Sequence, residues 1–368
     1  MSGLIIQKGT LPADEIYASL QALNGKFFHI EDLSQYASKV ETLAKALFYR
    51  SEDNQLITYI LYYDNGPEIF ITMVWTHPDF QNKGLATNLL SKLVDDARRP
   101  IQLDVHKANP ALRLYQDRGF RQVRASGDIL TLNYTPMLAI MQPYIFPYIG
   151  YFQLMAASAH VVFYDDVNFI KKGWINRNKI LLQNTEFLFT VPLIKASQNK
   201  LICELEIQPG GDFEAKFMQQ LHDAYKRAPY YNQVIGLIKE LFARQPKMIS
   251  DLAIESVSGI FQYLSIPFTW SKSSVVAAET RGMDRADRLI SITKQLHFTQ
   301  YINNLSGSEL YEKEYFANKG VNLHFLKAKV TPYKQFNDEF VSGLSIIDIL
   351  MFNDIKAVRQ MLHEYQIL

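Results

Sequence analysis

The 368-residue sequence predicts two α/β units joined head to tail: a mixed sheet with helices, then an α/β unit with a large helical part. Three observations carry this. The length exceeds that of most single domains. Strand-period and helix-period segments alternate along the whole chain. The stretch Asn133 to Met137, with its Thr135-Pro136 step, is the most economical linker. The expected boundary therefore lies near residue 135, giving units 1–135 and 136–368.

In the first unit, ALFYRS, QLITYILYYD and EIFITMVWT between Ala46 and Thr76 read as three strands separated by Asp53-Asn54 and Asp64-Asn65-Gly66-Pro67. That pattern is an antiparallel meander. From Leu85 to Ala97 the residues Leu85, Leu89, Leu90, Leu93 and Val94 fall on one helical face. The strand IQLDV, a helix from Pro110 to Arg118 and the strands FRQVRA and ILTLNY follow. The second unit opens with LAIMQP, a Pro- and Tyr-rich loop, a helix around Tyr151 to Ala159 and the strand VVFYDD. From Asp212 three amphipathic helices follow, FEAKFMQQLHDAYKRA, QVIGLIKELFARQ and MISDLAIESVSGIFQYL. A further β-α-β passage spans IPFTWS, RADRLISITKQL and TQYINN, and GLSIIDILMF reads as a core helix.

Composition excludes several classes of function. With 48% apolar and 20% charged residues the chain is globular, and Gly (17) and Pro (14) are too few for a low-complexity polymer. Thirty-eight basic against thirty-seven acidic residues leave no excess for a nucleic-acid backbone. Each unit is also balanced, with 14 basic and 15 acidic residues up to residue 135. One cysteine, Cys203, rules out an internal disulfide and a multi-thiolate zinc site, and the eight histidines show no metal-ligand spacing, so no metal is expected. No signal-like start or spanning apolar run is evident, and a cytoplasmic location without membrane insertion is expected.

Two segments carry chemistry. Between the strand ending at Thr76 and the helix starting near Gly84 lies HPDFQNKGLA, whose core is QxxGxA. Free amides at a helix start attract anions, and a glycine plus a small residue let pyrophosphate approach the backbone. About twenty residues later, LDVHKANPALRLYQDRGF sets Asn109, Ala111, Tyr115, Gly119 and Phe120 at the spacing of a strand, a helix and a tight turn. With these two motifs in order, residues 27 to 134 resemble the GNAT acyltransferases. The resemblance implies acetyl-CoA as cofactor. Backbone groups of Val74 and Thr76 would pair with the pantetheine arm, and Gln81, Asn82, Lys83, Gly84, Leu85 and Ala86 would cradle the pyrophosphate. Asn109 would orient the arm, and Tyr115 would act as general acid toward the departing thiolate. Packing of Tyr115 against Phe120 stands beside that role. The family pattern specifies no general base, and Glu68, His77 and His106 remain open.

In the second unit MQPYIFPYIGYFQLM is too dense in Pro and Tyr for a packing segment and is expected to line a pocket through Gln142, Tyr144, Tyr148, Gly150 and Tyr151. YDDVNFIKKGWINRN adds Asp165, Asp166, Lys171, Lys172, Trp174, Asn176, Arg177 and Asn178, groups suited to phosphate, sugar hydroxyls and a stacked ring. A solvated hairpin is the alternative for this segment. These motifs, with TKQLHFTQYINN and LSIIDILMFN, make residues 138 to 355 resemble the WbqC-like family of surface-polysaccharide clusters. That resemblance implies a nucleotide-linked, dTDP-type 4-amino-4,6-dideoxyhexose as substrate in an O-antigen pathway, with glycine as a further acyl group. Tyr148-Ile149-Gly150-Tyr151 also stands at the spacing of the HxGH loop of nucleotidyl-transferring proteins, though both histidines are absent. An analogy to pantothenate synthetase follows from it, and implies ATP with Mg as a second cofactor. Three readings remain: a bifunctional enzyme that attaches glycine and acetylates an amine, an N-acetyltransferase whose second unit only docks the sugar nucleotide, and a non-enzymatic assembly scaffold.

Overall fold

The computed structural model describes residues 4–21, 24–25, 28–210, 212–337 and 339–368. The chain divides into two compact units at Pro136 and Met137.

The first unit is built on a seven-stranded sheet. In chain order its elements are β1 (Gln7–Gly9), α1 (Ala13–Gln21), α2 (Leu33–Leu43), β2 (Lys45–Arg50), β3 (Leu56–Asp64), β4 (Ile69–Thr76), α3 (Leu85–Ala97), β5 (Ile101–His106), α4 (Ala111–Asp117), β6 (Arg121–Ser126) and β7 (Ile129–Tyr134). The strands lie in the order β1-β2-β3-β4-β5-β7-β6. All neighbours are antiparallel except β4 and β5, which run parallel because α3 crosses between them. On one face α3 buries Leu85, Leu89, Leu90, Leu93 and Val94 against Ile60, Ile71 and Leu103. Each such fully buried aliphatic side chain stabilises the fold by roughly 1.5–3 kcal/mol.

The other face is covered by elements that the sequence reading does not anticipate. Ile16 and Leu20 of α1 and Ala37 and Val40 of α2 pack on Phe48, Tyr59 and Leu61. Both helices have a narrow apolar stripe in a polar sequence, ADEIYASLQ and LSQYASKVETL, so periodicity alone is faint there. Asp32 starts α2 by accepting from the Gln35 amide at 2.8 Å.

The second unit comprises β8 (Leu138–Met141), α5 (Ile149–Ala156), β9 (His160–Phe163), β10 (Arg177–Leu182), β11 (Thr185–Thr190), α6 (Phe213–Tyr225), α7 (Tyr231–Ala243), α8 (Ile249–Tyr263), β12 (Trp270–Lys272), α9 (Ser273–Val276), α10 (Arg285–Gln295), β13 (Gln300–Asn304), α11 (Lys313–Asn318), β14 (Asn322–Ala328), α12 (Ile346–Phe352), α13 (Ile355–Met361) and β15 (Tyr365–Ile367). Its main sheet has the order β12-β9-β8-β13-β14-β15, parallel except for β15 at the edge. Strand β8 comes first in the chain. The path then leaves to one side through β9 and β12 and returns to the other side at β13. The strand order therefore reverses between β8 and β13, and in open parallel sheets the crevice at such a point is where ligands sit. GLSIIDILMF forms the core helix α12, with Ile346 to Met351 all buried. The hairpin β10–β11 begins at Arg177, so the predicted loop 164–178 ends inside a strand.

Candidate functional site

In the first unit the ladder between β4 and β5 holds only from Ile69 opposite Ile101 to Ile71 opposite Leu103. A bulge explains the parting. On β3, Leu61 faces Met73 while Tyr62 faces Ile71, so Thr72 is an extra residue and β4 bends away. Beyond it β4 continues on β3 alone. His77 N donates to Ile57 O at 2.8 Å, which sets the alternation of the antiparallel pair. The N–H and C=O of Trp75 and Met73 therefore face β3, and those of Val74 and Thr76 face the opened gap.

The gap widens into a cleft of about 1260 Å³ lined by Val74, Thr76, Gln81 to Ala86, Asn109 and Tyr115, all residues the sequence singles out. In the loop, Gln81 Nε2 donates to Thr76 O at 3.2 Å and Lys83 Nζ to Asp79 O at 2.7 Å. Asn82 and Gly84 adopt left-handed backbone, φ 59° and 75°. Left-handed residues in such a turn curl successive amides into an anion-binding concavity. At Gly84 a Cβ would meet nothing within 4 Å, so the requirement for glycine is conformational. The helix ladder begins with Asn88 N on Gly84 O, leaving the amides of Leu85, Ala86 and Thr87 ahead of it at the cleft.

Asn109 accepts from the Ala111 amide at 2.9 Å through Oδ1 at the start of α4, which leaves its Nδ2 free of that bond, and the residue lines the cleft. Tyr115 is buried and meets Phe120 edge-on at 5.8 Å, so the packing role is realised, while the residue also lines the cleft. Burial pushes its phenol well above the ordinary value, keeping it protonated at neutral pH.

Of the three open general bases, Glu68 is exposed on the β3–β4 turn and is not part of the cleft lining. His77 and His106 line the cleft, but each uses Nδ1 as an acceptor, from Asp79 N at 3.3 Å and from Ala108 N at 3.1 Å. In the tautomer that accepts at Nδ1 the proton sits on Nε2, and for His77 that nitrogen faces Gln55 Nε2 at 3.3 Å. The far end of the cleft adds residues that sequence reasoning missed: Glu15, held by Arg50 at 2.7 Å, and Tyr36, whose hydroxyl meets Thr72 Oγ1 at 2.8 Å. Both depend on α1, α2 and the bulge; the apolar spacing of α1 was the available signal.

In the second unit the structure separates the predicted residues into two groups. At the strand-order reversal it gathers Gln142, Tyr144 and Tyr148. Tyr151 donates to Gln142 O at 2.6 Å, Tyr144 stacks on Tyr151 at 5.5 Å, and Asn304 at the end of β13 donates to the Tyr148 hydroxyl at 3.0 Å. Asn304 lies within the TQYINN motif but was not singled out. The space at Gly150 is filled by protein: a Cβ there would come within 2.4 Å of the Tyr148 ring and 2.9 Å of Ala328 Cβ. Its glycine serves close packing of α5, and Tyr151 is likewise buried, which corrects the expectation that both face a ligand.

The remaining group also turns inward. Asp165 and Asp166 are buried. Asp165 accepts from Ser274 N at 3.0 Å and Ser274 Oγ at 2.8 Å. Asp166 accepts from Arg288 at 2.7 Å, Arg281 at 3.3 Å and Ser273 Oγ. Asn178 Nδ2 holds the carbonyls of Ile145 and Phe146 at 3.1 and 2.8 Å, fixing a turn in which Phe146 has φ 41°. Asn176 donates to Val191 O at 2.8 Å. Arg177 donates to the carbonyls of Gly173 and Lys172 and lies 5.8 Å from the Trp174 ring, so it closes its own loop. Lys171, Lys172 and the 42%-exposed Trp174 alone keep an outward face. Burial and the neighbouring Asp165 and Asp166 push the Cys203 thiol up to about 11, which keeps it protonated at neutral pH.

A buried carboxylate that the sequence reading missed sits on α12. Asp348 accepts from Tyr225 and Gln335, each at 2.8 Å, and from Tyr333. Burial raises its pKa despite these donors. Gln335 in turn bonds both backbone groups of Val341, so Asp348 ties Tyr333, Gln335 and Val341 to the core. Among the described residues no helix is long and apolar enough to cross a membrane.

Comparison with known proteins matches residues 142–360 to the WbqC-like protein family and residues 13–120 to the acetyltransferase (GNAT) family. An uncharacterized protein of Mycobacterium tuberculosis is 26% identical over 220 residues, 58% of this chain and 92% of its own. Similar solved structures include a GCN5-related N-acetyltransferase of Kribbella flavida, 16% identical over 36% of this chain and 97% of its own with a TM-score of 0.31. A GNAT acetyltransferase of Elizabethkingia anophelis with acetyl-CoA bound is 15% identical over 37% of this chain and 99% of its own, with a TM-score of 0.29.

Proposed function

Because the chain belongs to the WbqC-like protein family and its first unit matches the GNAT acetyltransferases, we propose that it N-acylates a nucleotide-linked amino sugar in the cytoplasm. The matches support an acyltransfer role with acetyl-CoA as donor. In the finer reading the acceptor is a dTDP-linked 4-amino-4,6-dideoxyhexose of a surface-polysaccharide pathway. The second unit attaches glycine with ATP, and the first acetylates an amine to leave an N-acetylglycyl amide.

The observation that carries the acetyl-transfer half is the cleft itself. Beyond Ile71 the backbone of β4 is open toward the gap, and the gap ends at the left-handed Gly84 and the free amides of α3. Val74 and Thr76 would pair with the amides of the pantetheine arm, and Gln81 to Ala86 would hold its pyrophosphate. The neutral acceptor amine attacks the thioester carbonyl. The new C–N bond forms, the C–S bond breaks, and the thiolate takes the Tyr115 proton as it leaves. The amine's surplus proton passes to solvent, and solvent returns a proton to the Tyr115 phenolate.

Two observations favour the simpler reading, in which the second unit only docks the sugar nucleotide. The basic loop engages Arg177 on its own carbonyls, and Gly150 is sealed by Tyr148 and Ala328 rather than open to phosphate. Incubating the full chain with acetyl-CoA, ATP, glycine and a panel of dTDP-4-amino sugars, followed by mass analysis, tests both. Glycyl mass with release of AMP or ADP supports the bifunctional enzyme. Acetyl mass alone supports the docking platform, and no acetyl transfer removes the enzyme reading altogether.

A further inference from the structure

Helices α7 and α8 pack against each other but leave a pocket of about 340 Å³ between them. Two glycines in helix interiors, Gly236 on α7 and Gly259 on α8, line it. Glycine weakens a helix relative to alanine, and each of these sites has room for a side chain. A Cβ on Gly236 would meet nothing within 4 Å, and one on Gly259 would meet only Leu237 and Leu241 at 3.8 and 4.0 Å. Space is thus kept open at two facing positions where a methyl group would favour both helices.

The pocket is not a simple packing void, because its lining is charged. Glu255 on α8 has its Oε2 shielded from solvent and without a hydrogen-bond partner. Buried polar atoms are rarely left so. Arg244, exposed just past the end of α7, lines the same pocket, and its guanidinium makes no hydrogen bond or ion pair to the protein among the described residues. Glu240, exposed on α7, lines the pocket as well, so two carboxylates and one guanidinium share it, and Arg244 and Glu255 stand beyond ion-pair distance. Asn232, Gln233 and Gln262 complete a polar rim.

We propose that this pocket binds a small zwitterion, with an ammonium group on Glu255 and a carboxylate on Arg244. A carboxylate offers only acceptors and a guanidinium only donors, so one molecule bearing both charges satisfies both walls. The volume lies at the lower end of the range for small-molecule sites. The pocket would seat the amino acid of the proposed glycyl step, and to that extent rests on that reading.

Binding is measured on the full chain by calorimetric titration with glycine, L-alanine, β-alanine and γ-aminobutyrate, with methylamine and acetate as single-charge probes. No acetyl-CoA, ATP or sugar nucleotide is added, so an empty pocket and a failed ligation are read separately. At least one zwitterion is expected to bind at least tenfold more tightly than either single-charge probe. Glu255→Gln keeps the shape and should weaken that binding roughly 10- to 100-fold, the effect of losing a charge-assisted bond. Gly236→Leu fills the pocket on a helix it should favour, and is expected to abolish binding with the thermal midpoint unchanged or raised. Absence of zwitterion binding, equal binding of acetate alone, or parental affinity in a folded Gly236→Leu variant would each overturn the assignment.

Discussion

The cleft of the first unit and the strand-order reversal of the second are both formed where parallel strands end, yet their motif residues behave differently. In the first, Val74, Thr76 and Gln81 to Ala86 contribute mainly backbone, and backbone direction follows from strand alternation and from one left-handed glycine. In the second, the dense segment 164–178 contributes side chains, and most of these fold back on the protein. Asp165 and Asp166 bind serines and arginines, Asn178 binds the Ile145–Phe146 turn, and Arg177 binds its own loop. A run of polar residues therefore signals a hydrogen-bonded network as readily as it signals a ligand.

The largest effect that would sharpen this contrast is on chemistry in the first unit. Tyr115→Phe keeps the ring on Phe120 and loses only the proton, so acetyl turnover should fall roughly 10²- to 10⁴-fold with acetyl-CoA affinity nearly intact. Steady-state rates within about threefold of the parent would show that solvent protonates the thiolate. In the second unit the corresponding large effect is on stability. Asp166→Ala leaves the buried Arg288 without its carboxylate and should cost about 3–5 kcal/mol in urea unfolding. A loss below about 1 kcal/mol would mean that Asp166 does not anchor the network, and would reopen it as a ligand group.

A smaller effect is expected at Gly84. Because its Cβ site is open, Gly84→Val acts through the φ of 75° rather than through a clash, a strain of roughly 1–2 kcal/mol. Acetyl-CoA binding to the full chain should weaken about 5- to 30-fold, which titration of the folded variant checks. Unchanged affinity would remove the loop from the pyrophosphate site.

The smallest effects are opposite in sign between the two units. Hydrogen bonds from Lys45 and Arg99 hold Asp64 down at about 2, below its unfolded value. Its stabilisation is therefore present above the ordinary carboxylate pKa and lost as pH falls toward 2. Asp64 is partly exposed, so screening reduces the effect. Burial raises Asp348 above its unfolded value, so its contribution is greatest in acid and declines as pH rises through the folded pKa. Unfolding of the parent, Asp64→Asn and Asp348→Asn across acid to neutral pH should show these opposing differences. Parallel curves for both variants would refute the assignment of the two slopes.

Much of the architecture was legible because local patterns and tertiary packing agree. Leu85 to Val94 form one apolar face in sequence and bury that face in α3; ALFYRS, QLITYILYYD and EIFITMVWT form β2, β3 and β4. Helices α1 and α2 were illegible because few apolar residues are needed to cover a sheet face already rich in Phe48, Tyr59 and Leu61. The QxxGxA loop could be read because a glycine at a helix start constrains its own backbone within a few residues. Only the tertiary structure decided the Thr72 bulge that parts β4 from β5, the partners of Asp166 more than a hundred residues away, and the filling of the space beside Gly150 by Tyr148 and Ala328. Periodicity encodes which face of an element is buried. It does not encode which distant side chain meets that face, and the direction in which Asp166 or Gly150 is used depends on that meeting.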